Sequence, residues 1–402
     1  MKTNYVLFCL ASILFSCQYG KKSQITVDND ALKSDSLTNS LNDIYENGKL
    51  PGFAVSIFDK DSTFYNKGFG FSNISKEKEY TTASVQIIAS VTKTMVGVAV
   101  MQCVENGLFN LDDNINKWLP YQVKNPNYSR SIITLRHLAT HTSSIAGTKR
   151  SDKGYRFTTP LLEEKFPAEH HPLLKYYNKT ENISMSDFLK AKLSSEGKWY
   201  EPGNIYTKHK PGTYYEYSNM GIALLAYIVE SATGKDFATY STENILNPLG
   251  MTDSKWDLSS VDEGKHVTYY NELLNEVPKY SIVTYPDGGL YSSVNDMTLF
   301  LKDIIKCRSG EGILLTKDSV DELLRKQFDG EELTEGICWD LSFDGLAGHP
   351  GNDFGTTTLM YFNLESAVGR ILFTNVSTET EELEEAYYSI FNTLFEYDFI
   401  ME

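Results

Sequence analysis

Strand-like apolar runs stand at the two ends of this chain, and the long middle reads differently. Phe53-Ala-Val-Ser-Ile-Phe58 and Thr63 to Gly70, parted by Asp59-Lys60-Asp61-Ser62, predict an N-terminal hairpin. Gly336 to Phe343, Thr356 to Phe362 and Gly369 to Thr374 predict three further strands near the C-terminus. From about Leu111 to Tyr280 the pattern is mostly helix and long loop, with the clearest helix from Met220 to Thr233 before Gly234. This distribution predicts an α+β chain: one sheet assembled from both ends and a helical lobe beside it.

Further helices are expected at Leu37 to Tyr45 (closed by Asn47-Gly48), Met95 to Val104 (closed by Asn106-Gly107), Thr134 to Thr140, Val294 to Lys306 and Glu381 to Phe395. Residues 150–212 are polar, lysine-rich and irregular, and read as an inserted excursion. A length of 402 residues allows two or three compact units or one large elaborated domain. Lys+Arg 37 against Asp+Glu 53 gives a net charge of −16, which leaves no positive field for a phosphate backbone and excludes nucleic acid as a partner. Hydrophobic residues at 41% and charged residues at 22% belong to a folded chain, and the 13% aromatic content favours a large core and a cleft walled by rings.

Met1-Lys2, the apolar stretch Tyr5 to Phe15 and a polar break after Cys17 match a secretory signal, too short for a mature span, which takes about 20 residues. Leu14-Phe15-Ser16-Cys17 resembles a bacterial lipoprotein box. That resemblance implies a signal peptide over 1–16, lipidation of Cys17, a tether over 17–35 and a folded domain over 36–402, with the helical lobe at roughly 111–280. The protein is then expected to be exported and held at the bacterial cell envelope, touching the membrane through its lipid anchor only. Cys103, Cys307 and Cys338 remain; they cannot all pair, and none has metal-site spacing.

Ser-x-x-Lys sets a hydroxyl and an amine one helical turn apart, close enough for the amine to take the hydroxyl proton. Three copies occur: Ser75/Lys78, Ser90/Lys93 and Ser195/Lys198. Only Ser90 follows an apolar run, Val85-Gln-Ile-Ile-Ala89, and opens an apolar helix, where N–H groups stabilise developing negative charge. The bland alternative for Ser90 is a helix cap. Tyr-x-Asn occurs at Tyr45, Tyr176, Tyr217, Tyr269 and Tyr361; the Tyr217-Ser218-Asn219 copy alone sits between Pro211-Gly212 and a strong helix. His137 and His141 have zinc-like spacing but lack a catalytic Glu between them and a third ligand, so a structural role is expected. His170-His171 is expected to be solvated. His349-Pro350-Gly351 is flanked by strand patterns, and its glycines allow close approach by a substrate; the alternative is a simple turn.

In order, Ser90-Val-Thr-Lys93, Tyr217-Ser-Asn219 and His349-Pro-Gly351 resemble the three motifs of the serine β-lactamase and penicillin-binding-protein superfamily. The Tyr-x-Asn form is similar to the branch holding class C β-lactamases, D-alanyl-D-alanine carboxypeptidases and related esterases. Ile133 to Thr142, Pro211 to Asn219 and Asp287 to Ser293 match that branch too. The resemblance implies a β-lactamase/transpeptidase-like fold, an antiparallel sheet with flanking helices plus an all-helical lobe. It implies Ser90 as nucleophile, with Lys93 and Tyr217 as the proton-transfer pair and the Lys93 charge keeping the phenol's pKa low. Asn219, His349 and Gly351 would bind substrate, and the backbone N–H groups of Ser90 and Asn352 would form the oxyanion hole. No cofactor or metal is implied; the substrate is an ester or amide, with wall peptides or β-lactams as the alternative and a catalytically silent sensor or binding protein as the non-enzyme reading. Ser144 departs from the family by standing where a Gly usually follows His-Thr-Ser. His349 departs by standing where a Lys usually leads the third motif; with an ordinary pKa of about 6.5 it would be mostly neutral near pH 7 and would charge on acidification.

Overall fold

The computed structural model describes residues 29–146, 154–178, 181–329 and 334–397; the signal segment, Cys17 and the first part of the tether lie outside them. The helices that matter here are α1 (Asn29–Asn47), α2 (Lys93–Glu105), α3 (Leu135–Ala139), α4 (Asn219–Thr233), α5 (Val294–Ser309) and α6 (Glu381–Glu396). The main sheet holds β1 (Gly52–Phe58), β2 (Thr63–Asn73), β3 (Lys78–Glu79), β4 (Leu346–Asp353), β5 (Thr356–Asn363) and β6 (Gly369–Thr374). Its spatial order is β4-β5-β6-β1-β2-β3, with every neighbour antiparallel.

The two ends of the chain meet at β1 and β6, where Val55 faces Leu372. Every residue of β1 is buried. Phe53, Val55 and Ile57 join one core with Leu37, Leu41, Leu372, Ile390 and Leu394, while Ala54 and Phe58 join the other with Met360, Phe362, Ile371 and Phe373. A strand covered on both faces reads as an unbroken apolar run, which is why Phe53 to Phe58 stood out. Helices α1 and α6 pack together over the first face, and α5 covers the second. Helix α2 is apolar on all sides and fills the centre between α4 and the sheet. Helix α4 starts where Ser218 Oγ accepts from Gly221 N and ends at Gly234, whose φ of 70° closes the last turn. Among the described residues no helix is long and apolar enough to cross a membrane.

Three sequence expectations change. Gly336 to Phe343 is not a strand: Cys338 takes φ 60° and turns the chain, so Gly336 N donates to Trp339 O at 2.9 Å. Ile337, Cys338 and Trp339 are apolar because the turn points into the core, and not because a pleat buries alternate residues. The excursion is also more ordered than its composition suggests. Tyr155–Phe157 pairs with Tyr280–Ile282, and a helix over Met185–Leu193 buries Met185, Phe188, Leu189 and Leu193. Its lysines hid the pattern; Lys192 is itself buried, its ammonium 5.8 Å from the rings of Phe188 and Trp199. Finally, α1 begins at Asn29, inside the stretch read as tether.

Polar latches hold the segment before Ser90 against the sheet. Thr356 Oγ1 donates to Ile87 O at 3.0 Å and Thr358 Oγ1 to Ile88 O at 2.8 Å, while Tyr269 OH accepts from Ile87 N at 2.8 Å. Thr358→Val keeps the side-chain shape and removes one donor. It should cost about 1 kcal/mol, seen as a lower urea midpoint at unchanged slope. A midpoint equal to that of the wild type would show that this latch contributes nothing.

Candidate active site

Ser90 lies in a single tight turn, Ala89–Thr92, immediately before α2. Ala89 is fully buried with φ 47°, a left-handed backbone that costs a residue with a Cβ roughly 1–2 kcal/mol. Such strain persists only where packing enforces it, and here it aims the next residue. Lys93 Nζ donates to Ser90 Oγ at 2.9 Å and also to the backbone carbonyl of Asp287. Tyr217 OH donates to the same Ser90 Oγ at 2.8 Å. One hydroxyl oxygen thus receives the Lys93 Nζ and the Tyr217 phenol together. The other two Ser-x-x-Lys pairs do not form this geometry: Lys78 donates to His266 O at 3.3 Å, and Lys198 pairs with Glu181 at 2.6 Å.

Tyr217 is aimed by a residue that the sequence marked only as structural. His141 is buried, with φ 56°, and its Nδ1 accepts from Ser218 N at 3.1 Å. Its ring lies 4.4 Å from that of Tyr217, and desolvation with the nearby Lys93 charge pushes its pKa well down, leaving a neutral imidazole to accept that bond. Asn219 is the first residue of α4, and its Oδ1 is buried with no hydrogen-bond partner among the described residues. Such an acceptor costs about 1–3 kcal/mol, which an N–H from a ligand would offset. Ser144, the departure from Gly, keeps the left-handed turn at φ 65°, and its hydroxyl accepts from Asn125 Nδ2 at 3.0 Å.

The third motif is a strand and not a turn. Gly348 exchanges both backbone bonds with Asp340 on the outer edge of β4, at 2.8 and 3.1 Å. Alternation along an antiparallel strand then turns 350 and 352 toward that edge and 349 and 351 toward β5. Pro350 therefore has no ladder bond to lose, and the Asn352 N–H faces the edge. Gly351 is where β4 passes Ser90: a Cβ there would lie 2.8 Å from Ile88 O and 3.1 Å from Ser90 N. His349 is 4% exposed, its Nδ1 is 2.5 Å from Pro350 O, and its ring is 6.3 Å from that of Tyr217.

The electrostatics correct two expectations. The phenol of Tyr217 is not held low by Lys93; burial pushes it well above its ordinary value, outweighing the bond to Ser90, and Asp287, Glu335 and Asp340 push the same way. Tyr217 is a proton donor in this state. His349 does not keep an ordinary pKa either: burial and the Lys93 charge lower it to about 4. Close by, Tyr215 OH donates to Glu335 Oε1 at 3.0 Å, and burial beside Asp340 raises the Glu335 carboxyl well above the usual range. Tyr215 lies in the Pro211 to Asn219 segment that matched the family branch without being singled out, and nothing in the sequence pattern marked Glu335. His137 closes a capping box with Thr134 at the start of α3, as befits a structural residue. Among the described residues, the group of three side chains able to ligate a metal, His170, Glu272 and Glu379, shares no member with this site.

The Beta-lactamase family model matches residues 37–395. Protein flp of Staphylococcus aureus (strain N315) is 25% identical over 262 residues, 64% of this chain and 46% of that protein, so the chain spans about half the length of such curated relatives. The D-alanyl-D-alanine-carboxypeptidase/endopeptidase AmpH of Escherichia coli (strain K12) is 24% identical over 272 residues, 68% of this chain and 62% of AmpH. Among solved structures, that of EstCE1, a hydrolase with promiscuous acyltransferase activity, shares the fold at a TM-score of 0.66 and 16% identity, over 91% of this chain and 99% of its own. A match that runs from α1 into α6 makes this chain a member of the Beta-lactamase family.

Proposed function

We propose that this protein hydrolyses neutral esters or amides through an acyl-enzyme on Ser90, in preference to substrates that carry a carboxylate. The observation that carries this reading is His349. A lysine in its place would hold a fixed charge for an anion, whereas a buried imidazole with a pKa near 4 stays neutral. The carboxyl groups of Glu335, Asp340 and Asp287 around Tyr217 add no attraction for an anion. The likeness to EstCE1, a hydrolase with promiscuous acyltransferase activity, is in keeping with acyl transfer, and the likeness to AmpH supports a peptidase as the second reading.

In the proposed cycle, Ser90 Oγ attacks the substrate carbonyl carbon while the amine form of Lys93 takes the Ser90 proton. The oxyanion is held by the Ser90 and Asn352 N–H groups, each such donor being worth about 3 kcal/mol in the transition state. The Tyr217 phenol gives its proton to the leaving alcohol or amine, and Lys93 restores it. Water then repeats these steps on the acyl-enzyme and frees Ser90. Asn219 offers its unsatisfied Oδ1 to a substrate N–H. The junction of Ser90, Lys93 and Tyr217 argues against a silent binding protein.

The test is kcat/KM for a p-nitrophenyl ester against nitrocefin and a D-Ala-D-Ala peptide, in wild type and His349→Lys. The wild type should favour the ester. The lysine variant should shift the ratio toward the carboxylate-bearing substrates by about tenfold or more, the worth of a charge-assisted bond. An unchanged ratio in a folded variant would remove the charge-reading role of His349. A pH series separates a buried from an ordinary imidazole. Because His349 charges only near pH 4, acidification from about 7.5 to about 6 should leave the wild-type ratio flat. A ratio that moves toward the anionic substrates over that interval would mean an ordinary histidine.

The envelope address is part of the same proposal and rests on Cys17. Wild type should partition with membranes and carry a lipidated N-terminal Cys17, and Cys17→Ala should be unlipidated. An intact mass showing an unmodified N-terminus at another residue would remove it.

A further inference from the structure

His170, expected to be solvated, stands beside two glutamates from distant parts of the chain. Its Nδ1 is 3.4 Å from Glu272 Oε1 and its Nε2 is 3.6 Å from Glu379 Oε2. One possible ligand atom from each of the three residues lies within 4.8 Å of the others. The Glu272 side chain is only 6% exposed, and its Oε1, the atom facing the imidazole, is buried without a hydrogen bond among the described residues. His170 and Glu379 are 30% and 46% exposed, so the cluster has a buried floor and an open mouth.

The backbone holds these three residues together. Asn271 Nδ2 donates to Lys165 O at 2.6 Å and Asn275 Nδ2 to the same carbonyl at 3.1 Å, which ties the Glu272 turn to the segment carrying His170. Tyr270 N donates to Asn375 O at 2.9 Å and Ser377 N to Tyr270 O at 3.1 Å, which ties that turn to the segment carrying Glu379. Asn271 Oδ1 accepts from Leu273 N and Asn275 N at 3.1 and 2.9 Å and fixes the turn itself.

We propose that His170, Glu272 and Glu379 form a binding site for a divalent first-row transition ion, zinc in the first instance, which pins the 163–177 segment to the sheet. The separations favour an ion over direct bonding. A distance of 3.4 Å is long for an N–H···O bond, which falls at about 2.7–3.2 Å. It matches one ligand-to-ligand edge of a tetrahedron, about 3.3–3.6 Å when the metal bonds are about 2.0–2.2 Å; Glu379 faces the other ring nitrogen within a set that spreads to 4.8 Å, so its exposed side chain would turn inward to close the site. One imidazole nitrogen and two carboxylate oxygens suit zinc and leave a fourth position for water.

The experiment titrates zinc into the chelator-treated whole chain against a chromophoric chelator and follows the melting temperature in parallel. Wild type should take up one equivalent at this site and melt higher with zinc. Glu379→Gln and His170→Ala, changed at the exposed mouth where folding is least at risk, should weaken that equivalent by at least about tenfold and lose the melting shift. His171→Ala should behave as wild type, because His171 faces Glu163 at 3.7 Å and lies outside the cluster. No uptake by wild type, or equal affinity in Glu379→Gln and His170→Ala, would overturn the site and leave an imidazole lying between two carboxylates.

Discussion

The pairing of β6 with β1 sets Thr374 opposite Phe53 and closes the two ends of the chain into one sheet, and the position of Ser90 follows from that closure. Strand β5 is held by β6, and its Thr356 and Thr358 hydroxyls grip the Ile87 and Ile88 carbonyls just before Ser90. Strand β4 is held by β5 and passes Ser90 N at Gly351. Ser90, the Asn352 N–H and His349 are thus set by one run of antiparallel ladders. The left-handed backbone at Ala89 is the strained end of that arrangement and survives because both neighbours are packed.

Desolvation shapes the chemistry placed on this frame. Burial opposes charge on Tyr217, His141 and His349, so the phenol keeps its proton and both imidazoles lack one. Each neutral form has a use in the proposed cycle: a phenol can donate to a leaving group, a neutral His141 can accept from Ser218, and a neutral His349 makes no claim on an anion. Lys93 sits at the centre, its Nζ bound to Ser90 Oγ and to the Asp287 carbonyl.

The sequence made visible whatever depends on local pattern. Strand β1 could be read because both of its faces are buried, and α4 because Gly234 stops it. Ser90, Tyr217 and His349 could be found because each occupies a motif in the right order, although their pKa values follow from burial that only the fold creates. The turn at Cys338 looked like a strand because core-facing turn residues are as apolar as strand residues. The Met185–Leu193 helix hid behind its lysines, one of which, Lys192, is buried with its ammonium near the Phe188 ring. His141, Tyr215 and Glu335 gained their roles from partners 77, 120 and 120 positions away, beyond the reach of any spacing rule.

The central claim is that Ser90 is the acylated nucleophile, and intact-mass measurement after reaction with a fluorophosphonate probe tests it most directly. The account predicts one adduct on the wild-type chain, mapped to the peptide carrying Ser90. It predicts no adduct on Ser90→Ala and unchanged labelling of Ser75→Ala and Ser195→Ala. An adduct that persists on Ser90→Ala would contradict it.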